Sequence, residues 1–255
     1  MRLPWSSLLL LSAGIFVAVT SEFLPIGLLP QLRDELGITD AQVGLLITVF
    51  AGTVVVATAP LTHLTRAVPR KRLLVLLLAV FAVANLVAAL APGYAVLVVA
   101  RIIGGAAHGV FWAVVTPYAA RLVPPERLAR AVAIATSGAT VATVAGVPLG
   151  TLLGAVVGWR ASFAVIAGLV SIIAALIIGV LPPVEHRAAA RDVASATGRR
   201  SRDATLAPVL VLCATVVLVT LGHATFYTYI AAWVIEVAGF DAGAVAGILL
   251  LFGAA

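Results

Sequence analysis

SLLLLSAGIFVAVTSEFLPIGLL, Ser7 to Leu29, is a run of 23 residues in which Glu22 is the one ionisable side chain. At 1.5 Å per residue a helix of that length crosses the roughly 30 Å hydrocarbon layer of a bilayer. Arg2 ahead of Leu8 to Val19 has the outline of a signal peptide, but the apolar run continues to Leu29 and further runs follow, so a retained first span is expected. Similar runs lie at Val43 to Leu64, Leu73 to Leu90, Tyr94 to Val115, Ala131 to Val157, Ala161 to Leu181 and Ala207 to Ile235. An eighth begins near Ala242 and is cut off at Ala255, too short to cross.

The composition agrees with this reading. Of 255 residues 10% are charged and 63% hydrophobic, where a soluble domain has about 25% charged residues. Mean hydropathy is +1.19. A soluble fold of this size has too little interior for so much apolar surface, whereas a bilayer accepts it on the outside of every helix. The class expected is an all-α membrane protein. Cys213 is the lone cysteine, so one chain can form neither a disulfide framework nor a cysteine metal site, and neither a metal nor a cofactor is expected.

A net charge of +6 would suit a nucleic-acid partner only if it were gathered on a soluble face. It is spread over loops instead. Arg2, Arg66, Arg70, Lys71, Arg72, Arg121, Arg127, Arg130 and the arginines of 182–206 all fall on one side of the threading, and only Arg33 and Arg160 on the other. By the positive-inside rule the N-terminus is cytoplasmic, and no nucleic acid is expected.

Three parts follow. Residues 1–181 form a six-span bundle, 182–206 a polar cytoplasmic linker, and 207–255 the start of a second bundle with a seventh span and a truncated eighth. Pro92-Gly93 and Gly158-Trp159 make tight turns on the outer side. ELGITDAQVG at Glu35 to Gly44 is echoed by VAGFDAGAVAG at Val237 to Gly247, which suggests that span seven restarts what span one began.

Two charges are set deep in spans, Glu22 and Arg101, each costing about 2.5 to 3.5 kcal/mol at mid-membrane. Counted from the outer end they lie at about the same depth, roughly 10 to 12 Å. One reading makes Glu22 a proton carrier whose proton affinity Arg101 adjusts by approach and withdrawal; the other makes them a fixed ion pair that sets helix register. Arg101, His108, Phe111 and Trp112 recur at helical spacing on span four, and His223, Phe226 and Tyr227 on span seven. Such stripes suit the wall of a cavity for an amphipathic organic solute, and equally suit packing between helices. On span five Gly138, Ala142, Gly146, Gly150 and Gly154 follow at four-residue spacing, with Pro148 among them. That side is almost bare, so another helix can approach closely, and the proline is expected to bend the span. No Gly-x-Ser-x-Gly or His-Glu-x-x-His pattern supports an intramembrane enzyme.

Together these motifs resemble the major facilitator superfamily, in particular its bacterial drug and sugar exporter branch, with chloramphenicol-resistance and arabinose-exporter-like proteins most similar. TRAVPRKRLL, Thr65 to Leu74, resembles the family's gating loop in its Arg66, Arg70 and Lys71, with Thr65 and Pro69 in place of its aspartate and glycine. LVVARIIGGAAHG at Leu97 to Gly109 resembles the fourth-span pattern, GVPLG at Gly146 to Gly150 the antiporter motif, and TSEFLPIGLLP at Thr20 to Pro30 the first-span signature. GWRASF at Gly158 to Phe163 is also typical.

The resemblance implies proton-coupled efflux of a small amphipathic solute, such as a chloramphenicol-like drug or a sugar, across the bacterial cytoplasmic membrane. It further implies proton coupling by Arg101, and a solute site between two bundles of which this chain holds one and a stub. The alternative is a transport-inactive fragment or scaffold whose cavity is completed by a second copy or a separate C-terminal half.

Overall fold

The computed structural model describes residues 3–184 and 206–232. The linker arginines, the second copy of the internal echo and the start of span eight lie outside the described residues. The chain divides into two compact units, 1–187 and 188–255.

In the first unit α1 (Trp5–Gly27) leads into the short α2 (Leu29–Leu36), which Gly37 closes in the left-handed conformation. α3 (Asp40–Leu64) starts on a capping box, because the Thr39 hydroxyl accepts from the Gln42 amide while the Gln42 side chain accepts from the Thr39 amide. α4 (Arg70–Ala89) and α5 (Tyr94–Arg121) follow, joined through the Pro92-Gly93 turn. After a 3-10 turn at Pro125–Arg127 come α6 (Leu128–Val141), a π-helical turn (Ala142–Gly146) and α7 (Val147–Val180). All described regular structure is helical, and six helices are long and apolar enough to cross a membrane.

α7 is two helices in space. Gly158 has φ 81° and ψ 162°, a backbone state that side chains disfavour, and there the chain reverses. Spans one to four are therefore α1, α3, α4 and α5. Span five is α6 with α7 up to the Gly158 turn, and span six the remainder of α7. The distortion in span five falls one turn before Pro148, whose ring nitrogen cannot donate to the preceding turn; the π turn at Ala142–Gly146 absorbs the mismatch.

Packing follows a reciprocal scheme. α1 lies against span five, α5 against α3, and α4 against span six, so that each half of the unit supplies equivalent partners to the other. This is the arrangement of an inverted repeat. α4 and span six run antiparallel, tied at one end by Arg160 Nη2 donating to the Ala91 carbonyl (3.1 Å) and at the other by Lys71 Nζ donating to the Ile178 carbonyl (2.7 Å). Trp159, Phe163, Phe50 and Tyr118 are among the largest fully buried side chains of the core.

The second unit contributes α8 (Leu206–Ala232), 27 residues long and apolar.

Candidate functional site

The centre of the first unit is a polar cluster between α1, α3, α4 and α5. Arg101, 3% exposed, projects from α5 into it. Its Nη1 donates to the Ser21 carbonyl (3.0 Å), Nη2 to the Glu22 carbonyl (2.7 Å) and Nε to the Leu46 carbonyl (3.4 Å), while the guanidinium lies 4.1 Å from the centroid of the Phe50 ring. Carbonyl dipoles and an aromatic face thus solvate a cation that hydrocarbon would reject. Ser21 Oγ donates to Asn85 Oδ1 (2.7 Å), and Asn85 Nδ2 donates to the Phe81 carbonyl (2.9 Å), which fixes α4 to α1 beside the cation.

Glu22 and Arg101 stand side by side, yet the guanidinium bonds the backbone of Glu22 and no ion pair within 4.0 Å joins it to the carboxylate among the described residues. Helix geometry explains the difference from the paired charges expected above. Side chains lean toward the N-terminus of their own helix, and α1 and α5 are antiparallel, so two residues at one level lean apart. The Glu22 carboxylate meets His108 instead, two turns along α5, with Oε2 3.5 Å from Nε2. Glu22 keeps 24% of its side-chain exposure while the imidazole keeps 3%.

His108 Nε2 accepts the indole N–H of Trp112 at 2.8 Å. Phe50 and Phe81 cover the rest of the ring, with centroids 5.2 and 5.9 Å away. Its Nδ1 is buried and has no hydrogen-bond partner among the described residues.

The span-four stripe separates here into two environments. Phe111 is buried in the bundle against Gly14 of α1 and Trp112 is half-buried. His223, Phe226 and Tyr227 fall on α8, where their side chains lie outside the described residues.

Gly138, Gly146, Gly150 and Gly154 of span five meet Ser12, Thr20 and Leu24 of α1 and Leu28 just after it in constant register. A Cβ at Gly146 would stand 2.7 Å from Thr20 Oγ1, and one at Gly150 2.8 Å from a Leu24 methyl. One at Gly138 would overlap the Ser12 carbonyl oxygen. The α5–α3 pair repeats the device, since a Cβ at Gly105 would stand 2.7 Å from the Phe50 carbonyl oxygen. Arg66, in the loop after α3, is exposed; at the start of α4, Arg70 is half-buried and Lys71 caps the end of span six.

Two features had no sequence forecast. Asn85 is a lone amide in an apolar span, and that isolation was the available signal. At the far end of the bundle, Glu35 Oε2 accepts from both Trp159 Nε1 (2.8 Å) and Arg160 Nη1 (2.7 Å), and Arg160 stacks on Trp159 at 4.1 Å. This clasp gives the Gly-Trp-Arg turn its role: it joins α2 to the start of span six.

Residues 11–255 match the Major Facilitator Superfamily family model. Over 249 residues the chain is 37% identical to YtbD of Bacillus subtilis (strain 168), described as an uncharacterised MFS-type transporter, covering 98% of this chain and 62% of that protein. It is 33% identical to a probable sugar efflux transporter of Helicobacter pylori (strain G27), covering 96% and 61% respectively. The chain thus spans about three-fifths of these relatives. Among solved structures, a bacterial homologue of the human lysosomal transporter Spinster, inward-facing and occupied, shares the fold at a TM-score of 0.64 and 17% identity, over 100% of this chain and 58% of that one. Matched along nearly its whole length, this multi-pass membrane chain belongs to the major facilitator superfamily, a family of transporters rather than enzymes.

Proposed function

We propose that the chain serves proton-coupled efflux of a small organic solute, with a sugar as the first candidate and a chloramphenicol-like amphipath as the second. The observation that carries the reading is the buried Arg101–Glu22–His108 cluster. Charges inside an apolar bundle are costly, and here the cation donates to three backbone carbonyls while the acid is left partly accessible. An acid so placed exchanges a proton without leaving Arg101 uncompensated. The Helicobacter relative's name favours a sugar.

In this reading Glu22 takes up a proton from the outer side and gives it up inside, and the two states of the cluster favour different conformations of the carrier. In this reading the protein sits in a bacterial cytoplasmic membrane with its N-terminus in the cytoplasm, the orientation that the positive-inside rule favours. Arg66 and Arg70 belong to the cytoplasmic gating loop, and Lys71 anchors that loop to span six. Gly146, Pro148, Gly150 and Gly154 let span five pack directly on α1, with the π turn as its point of bending. On α5, Trp112 is the residue assigned to the solute, with His108 held behind it through the indole hydrogen bond. A transport-inactive scaffold is not better supported.

The test is accumulation of a labelled sugar by inverted membrane vesicles with an acid interior. Glu22→Gln is expected to lower the gradient-driven rate at least about tenfold, corresponding to 1.4 kcal/mol. Equal gradient-driven rates in both proteins would remove Glu22 from the reaction.

A further inference from the structure

The three-way meeting at His108 Nε2 carries a more specific inference. A neutral imidazole has one acceptor nitrogen and one N–H. In this structure the acceptor is Nε2, because the Trp112 indole can only donate and its nitrogen lies 2.8 Å away. The ring proton therefore sits on Nδ1, which is buried and finds no hydrogen-bond partner among the described residues. The second group within reach of Nε2 is the Glu22 carboxylate, at 3.5 Å.

Two donors thus compete for one lone pair. When Glu22 is ionised and His108 neutral, the indole holds Nε2 unopposed. A proton arriving on Glu22 makes its carboxyl a donor toward that same lone pair. If the proton then crosses, the Oε2–H bond breaks and an Nε2–H bond forms, leaving a carboxylate beside an imidazolium, and the ring no longer accepts at all. In either placement the indole loses its acceptor. Only a neutral histidine facing an ionised acid retains it.

The groups facing the ring are few. α1 presents Glu22, and α5 itself presents Arg101 two turns away, which donates to the carbonyls of Ser21, Glu22 and Leu46. α3 and α4 present Phe50 and Phe81, which do not ionise. The fixed positive charge of Arg101 opposes a second cation unless Glu22 is negative, so the pair accommodates one proton in two places.

We propose that Glu22 and His108 share a single proton and that its arrival releases the half-buried Trp112 indole, making Trp112 the element through which the proton site acts on the solute-facing side of α5. His108 is then a positioning residue that converts a proton into a side-chain displacement, and the solute class implied is one that stacks on or hydrogen-bonds to an indole, as a sugar ring does. The inference rests on the proton-coupled reading for its purpose but not for its chemistry.

The test uses the purified chain, without transport. Emission from Trp112 is isolated as the difference between the protein and its Trp112→Phe variant, and is followed from acid to alkaline pH. One titration step is expected. It should vanish in His108→Gln, whose amide oxygen can still accept the indole N–H but takes no proton, and it should move to another pH in Glu22→Gln. Histidine 15N spectra, with His108 assigned by its loss in the same variant, should show the Nδ1–H tautomer at alkaline pH.

A flat Trp112 response, a step that survives in His108→Gln, or an Nε2–H tautomer at alkaline pH would overturn the proposal. Sugar accumulation indifferent to the pH gradient, together with an intact step, supports the switch and removes the efflux coupling instead. The two claims therefore fail separately.

Discussion

α1 has two neighbours of opposite character. Toward span five it meets a bare glycine face, close enough that a methyl group has no room at several positions. Toward α5 it meets long side chains, and the gap is bridged by Arg101, Glu22 and His108. Backbone-to-backbone contact has one good geometry and resists change, because close-packed interiors do not deform smoothly. A gap filled by hydrogen-bonding side chains has several geometries of similar energy. The contrast assigns α1 and span five to one rigid body, and places adjustable chemistry on the opposite flank.

Placing bulk on the bare face should break this contrast most severely. Gly138→Leu forces a side chain into the Ser12 backbone and is expected to cost more than about 3 kcal/mol, read as loss of the folded protein in detergent extracts. The matched control is Gly168→Ala, where nothing lies within 4 Å of the new Cβ; a gain of about 0.4 to 1 kcal/mol in thermal stability is expected. If the two substitutions shift the melting temperature alike, the close-packed face is not what holds α1 in place.

On the adjustable flank, Arg101→Lys keeps the charge but loses the fork that reaches three carbonyls. A loss of about 1.5 to 3 kcal/mol in unfolding free energy is expected, read from the denaturation curve. Asn85→Leu removes the partner of Ser21 next to the cation and should cost about 1 kcal/mol. The smallest effect belongs to Glu35→Gln at the exposed clasp. It should change stability by about 1 kcal/mol or less, and by still less at high salt, which a salt series of melting curves would show.

Much of this architecture was legible in the chain because hydrocarbon imposes simple rules. Six apolar runs had to become six helices, and Gly158 had to mark a reversal between two of them. The four-residue glycine spacing told of a close neighbour without telling which helix supplied it. The expected meeting of Glu22 with Arg101 rested on equal depth alone. Depth ignores the direction in which side chains leave an antiparallel pair, and that direction sends the carboxylate to His108. The clasp at Glu35, Trp159 and Arg160 joins residues distant in sequence, with no periodicity to announce it.

The central claim is that a proton passes through the cluster between α1 and α5 whenever solute crosses. The most direct measurement is the interior pH of acid-loaded inverted vesicles, followed with a fluorescent indicator as unlabelled sugar is added. The account predicts a rise in interior pH on sugar addition that Glu22→Gln abolishes. Sugar entry with no change in interior pH, or the same rise in Glu22→Gln, would contradict it.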